Sequence, residues 1–277
     1  MRGAIAGDLF VRSEHRRAGP ALQLKRAVVE GAWERGIDFL YGFPNQASEP
    51  VLRRVGYKPL GARTRYVRVL RAAPRLAAMP GGRVWGPVAG PIADQVMASV
   101  DRIAAAATVF RGVGRPLESI DGRFDDLWGD SAGAVPMLGE RDVSYLRWRY
   151  GAGGVAHGFF GLVERKSDRL CAALVYRAQG LNTEIRDVIP GRESAGRTAL
   201  LGSFAIWARA QGAASLTLVG LWSEGLERTL SLARLGFVRR PDPLRVYVLP
   251  SPKLGDAGPA LLDASRWMLL QSDDDQP

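Results

Sequence analysis

The chain has 277 residues, of which 47% are hydrophobic, 24% charged and 8% aromatic. This composition excludes a disordered or collagen-like chain and predicts one large globular domain or two of ordinary size. Cys171 is the single cysteine, so an internal disulfide framework is excluded and a cytoplasmic location is expected. No apolar run approaches the roughly 18 to 20 residues that cross a bilayer, and the first eight residues lack a signal-peptide pattern, so no transmembrane segment is expected.

The positive charge is concentrated in the first quarter of the chain. The whole sequence carries 38 Lys and Arg against 28 Asp and Glu, a net charge of +10. Residues 1–75 hold 15 basic and 6 acidic side chains, net +9, which leaves +1 for residues 76–277. Such an excess suits a phosphate-bearing partner: a nucleic acid, an anionic membrane surface or a phosphorylated small molecule. Arginines on solvated helix faces are the other explanation.

A strand, a basic turn and a helix are predicted at the start. Residues 3–11 are mostly apolar, Arg12–Gly19 is polar and ends in glycine, and Pro20 opens a helix that runs to about Arg35. Proline is well placed at a first helical position, because its missing N–H has no partner there anyway. The predicted apolar face of the helix consists of Leu22, Ala27, Val28, Ala32 and Trp33.

A second strand, a short helix and a closing strand follow. The strand is predicted at Phe39–Phe43, and Ser48 is expected to cap a helix that ends near Val55. Gly56 suits the left-handed position after this helix. Tyr57–Leu70 predicts a closing strand, or a hairpin with a turn near Gly61.

A second unit is predicted after a linker. Ala72–Pro91 is rich in Ala, Pro and Gly, residues 92–107 predict an amphipathic helix, and the last residues (SDDDQP) predict a frayed, solvated tail. The resulting domains are residues 1–71, a linker with its helix at 72–115, and residues 116–277. The second unit's predicted elements are a segment at Phe124–Trp128, a helix at Arg141–Tyr150, strands near 158–165 and 170–178 joined at Ser167-Asp168, a strand near 183–189, a helix at Ala195–Gln211, a strand at Ser215–Leu221, a helix at Glu224–Leu235 and a strand around Leu244–Leu249.

The order of these elements indicates an internal repeat. Each series has a Trp, a Gly, a strand, a helix and a Gly-aromatic pair, and the helix ends are LRRVGY and LARLGF. The ordered series is evidence for two copies of one α/β unit. The matching positions are Trp33, Gly36, 39–43, 48–55 and Gly56-Tyr57 beside Trp207, Gly212, 215–221, 224–235 and Gly236-Phe237.

The basic turn before the first helix is a candidate anion site. Amides at a helix start are unpaired and the helix dipole favours negative charge there, while Arg16 and Arg17 add charged donors. Gly19 and Ala21 are small enough for a pyrophosphate to approach the backbone. Neither a Walker loop nor a Rossmann glycine turn is present. An ordinary helix start with exposed arginines is the alternative.

These residues resemble the GNAT acyltransferase superfamily. Arg16-x-x-Gly19-x-Ala21 after a strand is similar to its acetyl-CoA pyrophosphate loop, Gln/Arg-x-x-Gly-x-Gly/Ala. Asn45-x-x-Ser48 and Gly56-Tyr57 are similar to later elements of the same fold, and the second unit has a GNAT-like order of elements. The resemblance covers about residues 3–70 and 120–250 and implies an α/β fold of two GNAT-like mixed sheets flanked by helices, with the first copy incomplete.

The resemblance also implies a set of cofactor-binding residues. Phe10–Arg12 would pair with the pantetheine arm as an added strand and polarise the thioester through an amide. The full expected set is Phe10, Val11, Arg12, Arg16, Arg17, Ala18, Gly19, Ala21, Asn45 and Ser48. The family's proton-donating tyrosine corresponds to Leu52, so the general acid is unidentified, and Glu14 is a weak candidate for the general base.

Two departures from the family pattern are evident. The first copy lacks the three N-terminal strands of a GNAT fold, so either the gene start is placed too late or this copy is a remnant. In the second copy the loop position holds Gly191-Arg-Glu-Ser-Ala-Gly196-Arg-Thr-Ala199, which lacks the motif spacing and carries Glu193. We therefore expect the second copy to bind the cofactor weakly or not at all.

The remaining candidate residues predict no second chemistry. His15 and His157 are too few and too distant in sequence for a metal site, so no metal is expected. Cys171 is expected to be a buried, inert thiol. Packing in a core is the expected role for three aromatic residues that could otherwise line a groove: Trp128, Trp148 and Tyr150.

The sequence as a whole predicts an acyl-CoA-dependent N-acyltransferase. Its co-substrate would be acetyl-CoA or another acyl-CoA, and its acceptor a small-molecule or peptide amine. A homodimer would cover the open edge of the first strand. The alternatives are a non-catalytic binding or scaffold protein, and an aminoacyl-tRNA-dependent transferase of the peptidoglycan-bridge type, although nucleic acid is not the expected partner.

Overall fold

The chain divides into two compact units, neither of which is contiguous in sequence. Unit 1 comprises Met1–Thr64, Gly220–Ser223 and Pro241–Pro277, and unit 2 comprises Arg65–Val219 and Glu224–Arg240. Each unit combines mixed strand pairing with helices, which confirms the expected α/β class. The computed structural model describes residues 1–7, 9–77, 89–99, 112–131, 133, 135–151 and 156–274.

The elements in the first 99 residues follow the predicted order. They are β1 (Gly3–Ile5), a 3-10 helix (Ser13–Ala18), α1 (Pro20–Glu34), β2 (Phe39–Gly42), α2 (Glu49–Val55), β3 (Lys58–Val69), α3 (Ala73–Ala77) and α4 (89–99). The rest of the predicted linker and of the helix at 92–107 lies outside the described residues.

The later elements complete both units. They are β4 (Gly112–Leu117), α5 (Arg123–Ser131), β5 (Met137–Leu138), α6 (Val143–Tyr150), β6 (Gly158–Glu164), β7 (Leu170–Gln179), β8 (Asn182–Ile189), α7 (Ser194–Ala210), β9 (Ser215–Trp222), α8 (Glu224–Thr229), β10 (Val238–Pro250), 3-10 helices at Pro252–Leu262 and Ala264–Arg266, β11 (Trp267–Leu270) and a 3-10 helix at Gln271–Asp273. The strands β4, β5 and β11 were not predicted from the sequence.

In unit 1, β2 lies between β1 and β10. β1 runs parallel to it, with Gly3 opposite Phe39, and β10 runs antiparallel, with Tyr247 opposite Gly42. Helices α1 and α2 contribute to one core with these strands, built from Val29, Ala32, Leu40, Leu52, Tyr57 and Tyr247. Burial of this apolar surface is the main stabilising contribution to the unit.

β1 is much shorter than the predicted strand at 3–11. It pairs with β2 over three residues only, from Gly3 to Ile5, and residues 9–12 are not in a strand. A side chain at Gly3 would place its Cβ 2.2 Å from the ring of Phe39, so only glycine allows this approach. Apolar residues such as Phe10 satisfied the strand pattern without a neighbouring strand to pair with.

The buried face of α1 differs from the predicted one. Ala32 is buried as expected, but Ala27 and Val28 are exposed, and the buried row is Lys25, Val29 and Ala32. These positions are spaced by four and three residues, as one face of a helix requires. The predicted apolar face was shifted around the helix because the prediction assigned Lys25 to the solvent-exposed side.

β3 is one continuous strand, so the alternative of a turn near Gly61 is wrong. The glycine has another role there, since a Cβ at Gly61 would lie 2.7 Å from Leu221. The two predicted Gly-aromatic helix ends share their geometry: Gly56 and Gly236 have φ of 109° and 78°. The following amide donates five residues back in both cases, at 3.1 Å for Tyr57 and 2.9 Å for Phe237.

In unit 2, strands β4, β6, β7 and β8 form an antiparallel series, and β9 joins β8 in parallel. The predicted hairpin at Ser167-Asp168 is confirmed, with Asp168 in a left-handed conformation at φ 56°. The α8 helix stops at Thr229, six residues before its predicted end, and Ser231 then has a φ of 53°. One core of this unit contains Leu117, Phe124, Leu127, Leu146, Val163, Leu170, Ala173, Val175 and Ile189.

The described part of the C-terminal segment is not a solvated tail. Asp273 and Asp274 are buried, and Asp275 lies outside the described residues. Within unit 1, Asp274 Oδ2 accepts a hydrogen bond from Arg63 Nη1 at 2.7 Å, and Arg63 Nε donates to Asp242 at 3.3 Å. A run of carboxylates is expected to be exposed only when the fold contains no buried cation that pairs with them.

Candidate active site

A cleft lies in unit 1 where β1 and β2 end. Beyond Ile5 the two segments are still joined by one hydrogen bond, which the Ala6 amide donates to the Tyr41 carbonyl at 2.7 Å. The cleft has a volume of about 200 Å³. Its lining comes from the segment after β1 (Ala6, Gly7, Leu9), from α1 (Lys25), from the segment after β2 (Phe43, Pro44, Asn45), from the start of α2 (Ser48, Leu52) and from β10 (Leu244).

Lys25 is the charged residue of the described cleft lining, and the sequence interpretation missed it. Only 3% of its surface is exposed, and its Nζ donates to the Ala6 carbonyl at 2.9 Å. The bond joins α1 to the point where β1 has ended. The signal that could have revealed it is its place in the row with Val29 and Ala32.

Asn45 and Ser48, two of the expected cofactor residues, line the cleft together. Asn45 Oδ1 accepts from the amides of Ala47 and Ser48, both at 3.0 Å, and Ser48 Oγ accepts from the Asn45 amide at 3.0 Å. Asn45 therefore closes the turn before α2, whereas Ser48, the predicted cap, makes no capping bond with its side chain. These reciprocal bonds hold both side chains in place at the cleft.

The head of α1 offers one amide for an anion. Gly19 is left-handed (φ 79°, ψ 16°), and its carbonyl accepts from Leu22 at 3.1 Å and from Gln23 at 3.4 Å. Pro20 has no N–H, and the Ala21 amide has no hydrogen-bond partner among the described residues. The helix dipole favours a negative group at this amide.

The segment before Gly19 is a 3-10 helix and not the expected open turn. In such a helix each amide bonds to the carbonyl three residues back, as the His15 amide does to Arg12 at 3.0 Å. The side chains of Arg16, Arg17 and Ala18 lie outside the described residues. Binding of a diphosphate by amides of this segment would therefore require the 3-10 helix to open.

Phe10, Val11, Arg12 and Glu14 do not line the cleft. Phe10 is 76% exposed. Phe10–Arg12 does not form the expected strand, because this segment is no longer paired with β2. The Glu14 side chain is 62% exposed and lies 3.9 Å from Arg12 Nη1 and 3.7 Å from His15 Nε2. This is the environment of a solvated carboxylate.

Leu52 is buried in the cleft lining, and two buried tyrosines lie nearby in the same core. The Tyr57 hydroxyl has no hydrogen-bond partner among the described residues, and burial raises its pKa. Tyr247 donates to Glu49 Oε1 at 2.5 Å, and Arg53 donates to both groups, at 3.0 Å and 2.7 Å. Donation by Tyr247 and then by Arg53 lowers the pKa of Glu49, which makes it a poor proton acceptor.

The corresponding loop of unit 2 is filled by its own arginine. Arg197 of α7 donates to the carbonyls of Pro190 and Gly191, both at 3.1 Å, and to that of Arg192 at 3.3 Å. Burial lowers the pKa of this guanidinium. A Cβ at Gly191 would lie 1.9 Å from the Cys171 carbonyl, so the loop packs tightly on β7. Weak or absent cofactor binding at this loop stays a prediction, and a bound diphosphate would have to displace these contacts.

Other residues singled out in the sequence lie away from the cleft. Trp148 is largely exposed, so core packing is the wrong prediction for it, whereas the His157 ring packs 4.9 Å from that of Tyr150. Cys171 is partly buried, and burial raises the pKa of its thiol. Within the described ranges, no cluster of three or more metal-binding side chains occurs. None of the described helices has the length and apolar character that crossing a bilayer requires.

The fold is that of the GCN5-related N-acetyltransferases. A probable N-acyltransferase from Enterococcus faecalis superposes with a TM-score of 0.59 at 12% identity, over 90% of this chain and 54% of its own. GCN5-related N-acetyltransferases from Anabaena variabilis (0.59, 13%, 89% and 54%) and Kribbella flavida (0.57, 15%, 89% and 51%) are similar. The chain thus spans about half the length of each of these proteins. No protein-family model matches the sequence, and no curated protein sequence is significantly similar to it.

Proposed function

We propose that the protein is an acyl-CoA-dependent N-acyltransferase whose acyl donor binds to unit 1 of a tandem pair of GNAT-like units. The observation that carries the proposal is the cleft of about 200 Å³ at the ends of parallel strands β1 and β2. Where the pairing of two strands ends, an extended ligand arm can use the backbone groups beyond it as an added strand would. The acceptor is a small-molecule or peptide amine.

Three further features of unit 1 support a diphosphate-bearing donor. The Ala21 amide lies at the positive end of the α1 dipole. Asn45 and Ser48 present fixed polar groups in the cleft. The net charge of +9 over residues 1–75 attracts an anionic ligand. Arg16 and Arg17 are proposed to contact the diphosphate directly.

Direct transfer is the proposed chemistry. The amine nitrogen of the acceptor attacks the thioester carbonyl, and a backbone N–H after β1 stabilises the negative charge that develops on the carbonyl oxygen. Neither carboxylate near the start of α1 or α2 is suited to be a base: Glu14 is solvated, and Glu49 accepts from Tyr247 and Arg53. These surroundings therefore suit an acceptor amine that is already deprotonated when it binds.

Calorimetry with coenzyme A tests the binding step. The wild-type chain should bind coenzyme A, and Arg16→Ala should weaken binding by about 1 to 3 kcal/mol, which is roughly 5- to 150-fold in Kd. Arg26→Ala is the matched control, because Arg26 is an exposed arginine of α1 that does not line the cleft. Absence of heat with the wild type would overturn the proposal, and equal losses in both variants would overturn the role of Arg16.

A non-catalytic acyl-CoA-binding protein is the second candidate. Leu52, in the position where the resemblance implies a proton-donating tyrosine, favours it. This candidate predicts binding of coenzyme A with no release of free thiol when acetyl-CoA is mixed with a panel of primary amines. Thiol release above the uncatalysed rate would exclude it.

A further inference from the structure

Most of the side chains that line the unit 1 cleft have no polar atom. The larger ones are the buried Pro44 and Leu52, the partly buried Phe43 and Leu244, and the more exposed Leu9. An apolar surface of this kind is unfavourable in contact with water and favours an apolar ligand group. The cleft therefore offers more than the backbone groups that a thioester carbonyl requires.

The polar side chains of the lining already have partners in the protein. Asn45 and Ser48 bond to each other in the turn before α2, where Ser48 Oγ lies 3.1 Å from Asn45 Oδ1. Lys25 Nζ donates to the Ala6 carbonyl at 2.9 Å. An alkyl chain can therefore occupy the cleft while these bonds persist, and no buried polar atom has to lose its partner.

A buried charge cluster fixes the part of the lining formed by Phe43 and Leu244. The Arg63 guanidinium carbon lies 5.4 Å from the centre of the Phe43 ring, and the Tyr41 ring packs edge-on against that ring at 6.0 Å. Asp242 accepts from Arg63 Nε at 3.3 Å and from the Leu244 amide at 3.1 Å. These contacts oppose collapse of the lining into the cleft, so the space remains available to a ligand.

The volume of the cleft indicates the size of the group that it can hold. The volume is about 200 Å³. At roughly 30 Å³ per non-hydrogen atom, which is the share of one water molecule in the liquid, the cleft holds about six or seven such atoms. An acetyl group would fill less than half of this space, whereas a hexanoyl group would fill nearly all of it.

We propose that the acyl group transferred by this protein is an apolar chain of about four to six carbons, which packs in the cleft against Phe43, Leu52 and Leu244. The inference deepens the proposed function and rests on it. The thioester carbonyl lies at the backbone N–H after β1, and the alkyl chain extends from it over the apolar lining. Each methylene that is fully buried strengthens binding by about fourfold, so an acetyl group leaves most of this gain unused.

A series of acyl-CoA esters tests the inference on the wild-type protein. Calorimetric titration with acetyl-, butyryl-, hexanoyl- and decanoyl-CoA, each below its micelle-forming concentration, gives a Kd for every chain length. We expect affinity to rise by about two- to fourfold per methylene up to hexanoyl-CoA, roughly 15- to 250-fold in total, and to level off at decanoyl-CoA because the cleft is then full.

Two results of the series would overturn the inference. The first is an affinity that does not depend on chain length or is highest for acetyl-CoA, since the apolar lining would then make no contact with the chain. The second is a rise that continues undiminished to decanoyl-CoA, because adsorption to an exposed surface has no limiting length.

Leu244→Trp tests whether the chain lies in the cleft. Leu244 is partly buried, so a larger side chain can be accommodated there and would take up cleft volume. We expect a loss of about tenfold or more in affinity for hexanoyl-CoA and a change of less than about twofold for acetyl-CoA. Leu262→Trp is the matched control, because Leu262 is an exposed leucine of unit 1 that does not line the cleft, and it should preserve both affinities.

The outcomes separate this inference from the proposed function. If neither coenzyme A nor any ester binds to the wild type, both are overturned. If coenzyme A binds and all esters bind with equal affinity, only the assignment of the acyl chain fails. Equal losses for the two esters in Leu244→Trp would likewise remove the chain from this cleft. Circular dichroism verifies that each variant is folded, and the wild-type series requires no variant.

Discussion

The buried ion pairs of Arg63 provide the most direct test of how the C-terminal segment is held in unit 1. The Arg63 side chain is 7% exposed and its carboxylate partners are more deeply buried, at 4% for Asp242 and 3% for Asp274. Its guanidinium carbon also lies 5.4 Å from the centre of the Phe43 ring. Asp274→Asn preserves the size of the side chain and removes its charge, so Arg63 keeps one anionic partner instead of two.

The expected loss of stability follows from these contacts. A hydrogen bond to a charged group contributes about 1.5 to 3 kcal/mol, and removing the sole partner of a buried ion costs about 3 to 5 kcal/mol. Because Asp242 remains 3.3 Å from Arg63 Nε, we expect Asp274→Asn to lose about 2 to 3 kcal/mol of unfolding free energy. The corresponding decrease in Tm is roughly 5 to 10 °C.

Urea and thermal unfolding followed by circular dichroism measure this loss. Asp256→Asn is the matched control, since Asp256 is an exposed acid of the same C-terminal region and should change stability by less than about 0.5 kcal/mol. Equal effects of the two substitutions would refute the pairing. The C-terminal acids would then be the frayed tail that their composition predicts.

Three other predictions follow from single polar groups. Tyr57→Phe should leave stability unchanged or raise it by up to about 1 kcal/mol in urea unfolding, because the hydroxyl is buried without a partner among the described residues; a loss would reveal one. Glu49→Gln should be destabilised at pH 7, and the difference from wild type should disappear as pH falls below the lowered pKa of Glu49, since the carboxylate that Tyr247 stabilises is then protonated in both states. Cys171 should react with iodoacetamide at pH 8 more slowly than the same thiol in urea-unfolded protein, because burial raises its pKa; equal rates would contradict this.

The elements that the sequence predicted well are those with local causes. Pro20 at a first helical position, Gly56 after a helix and the turn at Ser167-Asp168 each depend on residues within one turn of the chain. The length of β1 does not, because a strand extends only as far as a neighbour pairs with it. The same reasoning explains why the residues around Phe10 carried a strand pattern without forming a strand.

The candidate site was predicted in part. Asn45 and Ser48 do line the cleft. The motif also showed that leucine occupies the position of the family's tyrosine, at Leu52. Lys25 was missed because lysine on a helix normally faces solvent, and its burial depends on the Ala6 carbonyl of another element. Asp274 was assigned to a frayed end for a similar reason, since its partner Arg63 is 211 residues away in sequence.

That separation has a consequence for synthesis of the chain on the ribosome. Unit 1 contains the first strand and the last, and β2 requires β10 as its antiparallel neighbour. Residues that form the cleft are translated early but gain part of their packing only when the final segment has emerged. Every residue of unit 2 has been translated once Arg240 is added, so we expect this unit to fold first. A nascent chain arrested near residue 240 should therefore protect β6, β7 and β8 from protease and leave α1 open to cleavage.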